Sequence, residues 1–218
     1  MTASPESSSA RKHRAILEAA ETLFLRDGYL GTSMDELAER SGVSKQTVYK
    51  HFGSKEVLFV ELVTSMTAGA GDDLDEVDGL PQDMAGLAPY LQRYAMDELR
   101  TVMTPRLLRL RRLVIGEVGR FPDLAEALFE NGPQRSIRAL TVIIGRLVQR
   151  GLLTAPSPAT AARTLNWLVL AAPINEAMLL GDGSIPTTAM MEAHATEATR
   201  VFLAAYAART DSDDRGGN

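Results

Sequence analysis

Residues 33–53 read Ser33-Met-Asp-Glu-Leu-Ala-Glu-Arg-Ser-Gly-Val-Ser-Lys-Gln-Thr-Val-Tyr-Lys-His-Phe-Gly53, and this stretch decides the fold. Ser33 is followed three residues later by Glu36, the spacing of a capping box that opens a short helix. Ser44 suits the N-cap of a second short helix running through His51 and Phe52. Between them Ser41-Gly42-Val43 forms a tight turn, where Gly42 can take the positive φ that a β-carbon would resist. Ala38 is small enough for the helices to cross closely, and Leu37, Val43 and Val48 fill the space between them. This is the pattern of a helix-turn-helix, whose second helix enters the major groove of duplex DNA.

The outward residues of the second helix have the chemistry for that task. Lys45, Gln46 and Thr47 sit on its first turn: Lys donates to guanine, Gln bonds adenine at two atoms, and a Thr methyl meets the thymine methyl. Lys50 can read a base or hold a phosphate. Ser44, Tyr49, His51 and Lys55 carry donors for phosphate oxygens, and Thr32 and Ser33 add hydroxyls at a helix N-terminus that favours anions. Arg11, Lys12 and Arg14 can reach the flanking backbone or minor groove. Taken singly, each has a plainer use: Ser44 as a cap, Tyr49 as half-buried packing, the lysines as solvated surface. Their combination in order is what points to DNA.

Upstream, Ala15, Ile16, Ala19, Ala20, Leu23 and Phe24 form one stripe of a helix over 11–26, which Gly28 ends. Downstream, Ser54 caps a helix with Val57, Leu58, Leu62 and Met66 on one side. Charge is segregated in the same sense. Residues 1–55 hold 8 Lys and Arg against 7 Asp and Glu, while residues 56–218 hold 15 against 21, within a net −5. An acidic body behind a mildly basic head suits a protein that touches phosphate with one end only.

The run 47–59, Thr-Val-Tyr-Lys-His-Phe-Gly-Ser-Lys-Glu-Val-Leu-Phe, resembles the signature of TetR-type regulators, as do the earlier Ala-Ala-Glu-Thr-Leu-Phe and Gly-Tyr-Leu-Gly-Thr-Ser. The resemblance covers residues 11 to 62 and is weaker over 111–133. It implies an all-α homodimer with a three-helix DNA-binding head and a larger helical ligand-binding and dimerisation body. It also implies phosphate roles for Thr32, Ser33, Tyr49, His51 and Lys55, and base reading by Lys45, Gln46 and Thr47. The partners expected are a palindromic double-stranded operator, a second copy of the chain and an unidentified small-molecule effector that releases a repressor, in the cytoplasm.

The expected organisation is an N-terminal disordered arm (1–10), a helix-turn-helix domain (11–55), a helical body (56–210) and a disordered tail (211–218). Gly69–Asp83, rich in Asp, Gly and Pro, reads as a loop or frayed helix end. Prolines 105, 122, 133, 158 and 186 mark helix starts, giving helices near 84–103, 105–119, 122–130, 133–150, 158–180 and 187–209, with Pro173 kinking or splitting the fifth. No sheet is expected. Leu165, Leu168, Val169, Ala172 and Leu179, with Ala198, Val201, Phe202 and Ala205, are dimer-seam candidates or intrachain core. Tyr90, Tyr94, Met103, Phe121, Trp167 and Met178 could line an apolar effector pocket, with Glu117, Asn166 or Asn175 as its polar handle, or serve as plain core.

Other functions find little footing. The chain has no cysteine, so disulfides and thiolate metal sites are excluded, and His13, His51 and His194 make no convincing zinc set. No metal or cofactor is expected. No apolar run approaches the roughly 18 residues of a membrane span, and the Ser-rich N-terminus lacks a signal-peptide core. A small helical enzyme would need a nucleophile elbow or phosphate loop that is missing. A head used for protein contacts is the remaining alternative.

Overall fold

A computed structural model describes residues 7–67 and 79–208. Among the described residues ten α-helices follow one another: α1 (Ser8–Gly31), α2 (Met34–Ser41), α3 (Lys45–Phe52), α4 (Lys55–Thr67), α5 (Met84–Val102), α6 (Pro105–Glu117), α7 (Pro122–Asn131), α8 (Pro133–Gln149), α9 (Pro158–Leu180) and α10 (Thr188–Tyr206). The fold is all-α. The only β-type pairing among the described residues is one isolated bridge between Leu153 and Ala207. Four of the five marked prolines are the first residue of a helix; after Pro186 the helix waits for Thr187, whose hydroxyl caps Met190 N–H.

The chain divides into two compact units, residues 7–67 with Arg109–Asn131 and residues 79–108 with 132–208. The boundary expected at 55/56 therefore falls inside the first unit. The reason is packing: α4 lies against α1, α3 and α7, so it belongs with the head. The arm expected over 1–10 is shorter as well, because Ser7 accepts from Ala10 N–H and starts α1 at Ser8. Most of Gly69–Asp83 and the tail from 211 lie outside the described residues.

In the first unit, Ile16, Ala19, Ala20, Leu23 and Phe24 of α1 are buried as their spacing requires. Gly28, at φ 78 and ψ 173, breaks the helix and redirects the chain so that Tyr29 turns inward. Phe24, Tyr29, Phe59 and Phe121 then pack ring on ring at centroid distances of 4.6 to 5.7 Å. Val57 departs from expectation. It is exposed, and Phe59 and Val63 take the buried places beside Leu58, Leu62 and Met66.

The second unit packs α5, α8, α9 and α10 around Leu87, Leu91, Leu99, Leu140, Leu165 and Phe202. Four of the nine seam candidates (Leu165, Val169, Ala198 and Phe202) are buried in this core, whereas Ala172, Leu179, Val201 and Ala205 are exposed. α9 is not split: it stays one helix through Pro173, which is buried.

Candidate functional site

The two helices of the head are joined as their residue types dictate. Gly42 sits at φ 68 and ψ 25, and its N–H reaches Glu39 O while Val43 N–H reaches Ala38 O. That pair of bonds is a Schellman closure, which satisfies the last carbonyls of α2 and sends the chain into α3. Ser33 accepts from Glu36 N–H at 3.2 Å and Ser44 from Thr47 N–H at 3.2 Å, so both helices carry their expected caps. The capping box is one-sided, because the Glu36 carboxylate turns to Arg26 at 2.7 Å. Leu37 and Val48 are fully buried between the helices. α3 ends at Gly53, where Ser54 N–H bonds Phe52 O at 2.7 Å across a positive-φ γ-turn.

This frame leaves Lys45, Gln46, Tyr49 and Lys50 exposed along α3, with Thr47 half-buried. An open groove between the start of α2 and α3 is lined by Thr32, Ser33, Asp35, Lys45, Tyr49 and Lys55. The Lys45 ammonium bonds Asp35 at 2.7 Å, which raises its pKa. The pair is solvated and easily exchanged for another anion.

Two of the phosphate candidates are committed elsewhere and a third is partly covered. Thr32 is 2% exposed and its hydroxyl donates inward to Gly28 O at 2.9 Å. Lys55 donates to Tyr29 O at 2.8 Å and Thr32 O at 3.0 Å, and partial burial lowers its pKa. It clamps α4 to the α1–α2 link. His51 is half-buried, its ring near those of His13 (5.8 Å) and Phe52 (6.1 Å). Ser33, Ser44 and Tyr49 remain at the surface.

The second unit holds a different set of polar groups. Tyr94 and Glu98 lie one turn apart on α5 and both are buried. The Ser136 hydroxyl of α8 donates to Glu98 Oε1 at 3.3 Å, while Oε2 has no partner among the described residues. Tyr94 Oη, both amide atoms of Asn166 on α9, and the Thr199 hydroxyl on α10 are likewise buried and unpaired there. Burial pushes the Glu98 carboxyl up to about 7, and Asp97 adds to the shift; burial also pushes the Tyr94 hydroxyl well up. Each unpaired buried polar group costs about 1 to 3 kcal/mol, so four such residues in one otherwise apolar core are out of the ordinary.

Of the residues expected around an effector, Tyr94, Met103 and Asn166 are buried in this core, and Tyr90 and Met178 are half-buried beside it. Trp167 is 37% exposed. Glu117 and Phe121 belong to the first unit, where the Phe121 ring packs on Tyr29 at 4.6 Å. Glu98, Ser136 and Thr199 went unnamed in the sequence. The signal for Glu98 was there: Leu87, Leu91, Tyr94, Ala95, Glu98 and Leu99 keep one helical register, and a charge in that register is a buried charge.

Residues 16–62 match the family described as "Bacterial regulatory proteins, tetR family", and residues 89–208 match "AefR-like transcriptional repressor, C-terminal domain". The chain belongs to the TetR family. A solved structure from Mesorhizobium loti assigned to that family is 39% identical, with a TM-score of 0.83, covering 93% of this chain and all of the other. The structure of the flavonoid-responsive regulator FrrA is 31% identical, with a TM-score of 0.74, covering 92% of this chain and 99% of that one. The transcriptional repressor AcnR of Corynebacterium efficiens is 33% identical over 92 residues, 42% of this chain. That match spans 48% of the curated relative's length. TetR-family membership places the chain among DNA-binding transcriptional regulators, a class distinct from enzymes. No helix among the described residues is long and apolar enough to cross a membrane.

Proposed function

We propose that this chain is a dimeric repressor that reads a palindromic operator with α3 and releases it when a small molecule enters the second unit. The observation that carries the DNA reading is the Schellman-closed turn at Gly42, which presents Lys45, Gln46 and Lys50 outward on a capped helix. Lys45, Gln46, Thr47 and Lys50 face bases; Ser33, Ser44 and Tyr49 hold phosphates, with His51 at the margin. Thr32 and Lys55 shape the groove from behind. Two such heads on a two-fold axis match half-sites about 34 Å apart. Exposed Leu179 and Val201 on α9 and α10 support a second copy packing there. The cytoplasm, where the DNA lies, is the proposed location. The likeness to a flavonoid-responsive regulator supports a small, largely apolar effector.

The test is retardation of the DNA upstream of the protein's own gene across a salt series. Wild type should bind one protected palindrome with affinity falling log-linearly in salt. Lys45→Ala with Gln46→Ala should abolish that preference while helicity and dimer mass are kept. An unchanged preference would falsify the base-reading assignment, and salt-independent binding would point to protein contacts instead.

A further inference from the structure

On the reading that Lys45 meets a base edge, we propose that Asp35 sets operator specificity: it holds the Lys45 ammonium away from the phosphates of arbitrary DNA while leaving it able to serve a base. Asp35 lies in the first turn of α2, and its carboxylate bonds Lys45 at 2.7 Å across the gap to the first turn of α3. The neighbouring Glu36 turns to Arg26, so Asp35 is the acid of that turn that faces α3. Both members of the pair line the open groove of the head, together with Ser33, Tyr49, Lys55 and Glu56. Lys55 gives its N–H groups to the Tyr29 and Thr32 carbonyls. Of the two lysines on this groove, Lys45 is therefore the one left to meet DNA, and Asp35 holds it.

The two kinds of acceptor on DNA differ in charge, and a carboxylate discriminates on that ground. A phosphate is an anion. To take Lys45 it must displace Asp35 and then lie beside it, with Glu56 on the same groove, so the exchange gains little. The first helix of a helix-turn-helix crosses the DNA backbone, which is where α2 carries Asp35. Guanine O6 and N7, in contrast, are neutral acceptors. An ammonium has three donors, so Lys45 can keep one on Asp35 and turn the others to the base. Tethered to α2, its long side chain also has less rotamer freedom to lose when it does so. Removing the carboxylate frees the charge for any phosphate within reach. That raises affinity for all DNA, and most for DNA that offers no matching base. The Asp35 side chain is 70% exposed, so its substitution leaves the packing of the head intact.

The experiment measures binding of the full chain to two duplexes over a salt series: the palindrome protected in its upstream DNA and a scrambled duplex of the same composition. Asp35→Asn should bind the scrambled duplex about threefold more tightly, the scale of an exposed ion pair, with a salt slope steeper by about 1 as Lys45 reaches a phosphate. The palindrome should gain less, so the ratio of the two affinities narrows. Asp35→Glu keeps the charge and should hold the ratio near wild type. In a Lys45→Met background, Asp35→Asn should leave the ratio where Lys45→Met alone puts it. Equal gains on both duplexes would make Asp35 a general repulsive charge and overturn the proposal. A narrowing that persists without Lys45, or no change in either affinity, would overturn it as well. A wild type that does not prefer the palindrome, or Lys45→Met with its ratio unaltered, defeats base reading by Lys45 itself and this inference with it.

Discussion

His194 supplies Val169 with a bond that its own helix cannot: the imidazole Nε2 lies 2.9 Å from the Val169 carbonyl oxygen. In an uninterrupted helix that oxygen accepts from the N–H four residues on, but position 173 is proline and has none. A carbonyl only accepts, so Nε2 carries the proton. His194→Phe should cost about 1 to 3 kcal/mol, the price of a stranded carbonyl. In a Pro173→Ala background the same substitution should cost little, since the restored amide takes over. Urea unfolding of the four proteins gives the coupling. A cycle that closes without coupling would remove this account of how α9 tolerates its proline.

Lys55 separates a structural lysine from one that touches DNA. Its ammonium serves two carbonyls and sits 4.6 Å from the Tyr29 ring centroid, whereas Lys50 is exposed on α3. Lys55→Met should lower stability by about 1 to 2 kcal/mol, a charged hydrogen-bond pair discounted for partial exposure. It should leave the slope of log affinity against log salt nearly unchanged. Lys50→Ala should do the reverse, with stability intact and base preference relaxed at the position it reads. A reduced slope for Lys55→Met would return that residue to the phosphate contacts.

The contrast shows where sequence reading succeeds. Caps at Ser33, Ser44 and Ser54 were legible because a cap is a bond between residues three apart, and the residue type almost determines it. Thr32 and Lys55 have surface chemistry, and what turned them inward are partners up to 26 positions away. Val57 faces out, against expectation, because the aromatic cluster of Phe24, Tyr29 and Phe59 sets which side of α4 is buried. Leu165, Val169, Ala198 and Phe202 look the same in sequence whether a second copy or α5 and α8 cover them. Glu98 has the chemistry of a surface residue, and only its register with Leu87, Leu91 and Leu99 marks it as buried.

The two glycines that bound α3 should differ in cost. A β-carbon would meet nothing within 4 Å at either Gly42 or Gly53, so only the backbone decides. Gly42 lies in the left-handed helical basin, where alanine costs about 1 kcal/mol. Gly53, at φ 72 and ψ −51, lies outside it in the γ-turn region, a strain of about 2 kcal/mol or more for alanine. Thermal unfolding should therefore rank Gly53→Ala below Gly42→Ala, which is below wild type. Equal losses would mean that the γ-turn relaxes at no cost.

Glu98 makes stability depend on pH in the sense opposite to a salt-bridged carboxylate. Its folded pKa of about 7 lies above the ordinary 4.5, because burial penalises the charged form more than the Ser136 bond favours it. Between those values the folded chain holds more of this proton than the unfolded chain does, so stability falls as pH rises. The penalty is absent below the unfolded pKa and complete above about pH 7, where a shift of this size amounts to about 3 kcal/mol. Glu98→Gln carries no charge at any pH and can still accept from Ser136. Urea unfolding of both proteins from pH 5 to 8 isolates the effect, since every other group titrates alike in each. The variant should nearly match wild type at pH 5 and exceed it by about 2 to 3 kcal/mol at pH 8. A difference that stays constant across that range would mean that Glu98 ionises normally in the folded protein.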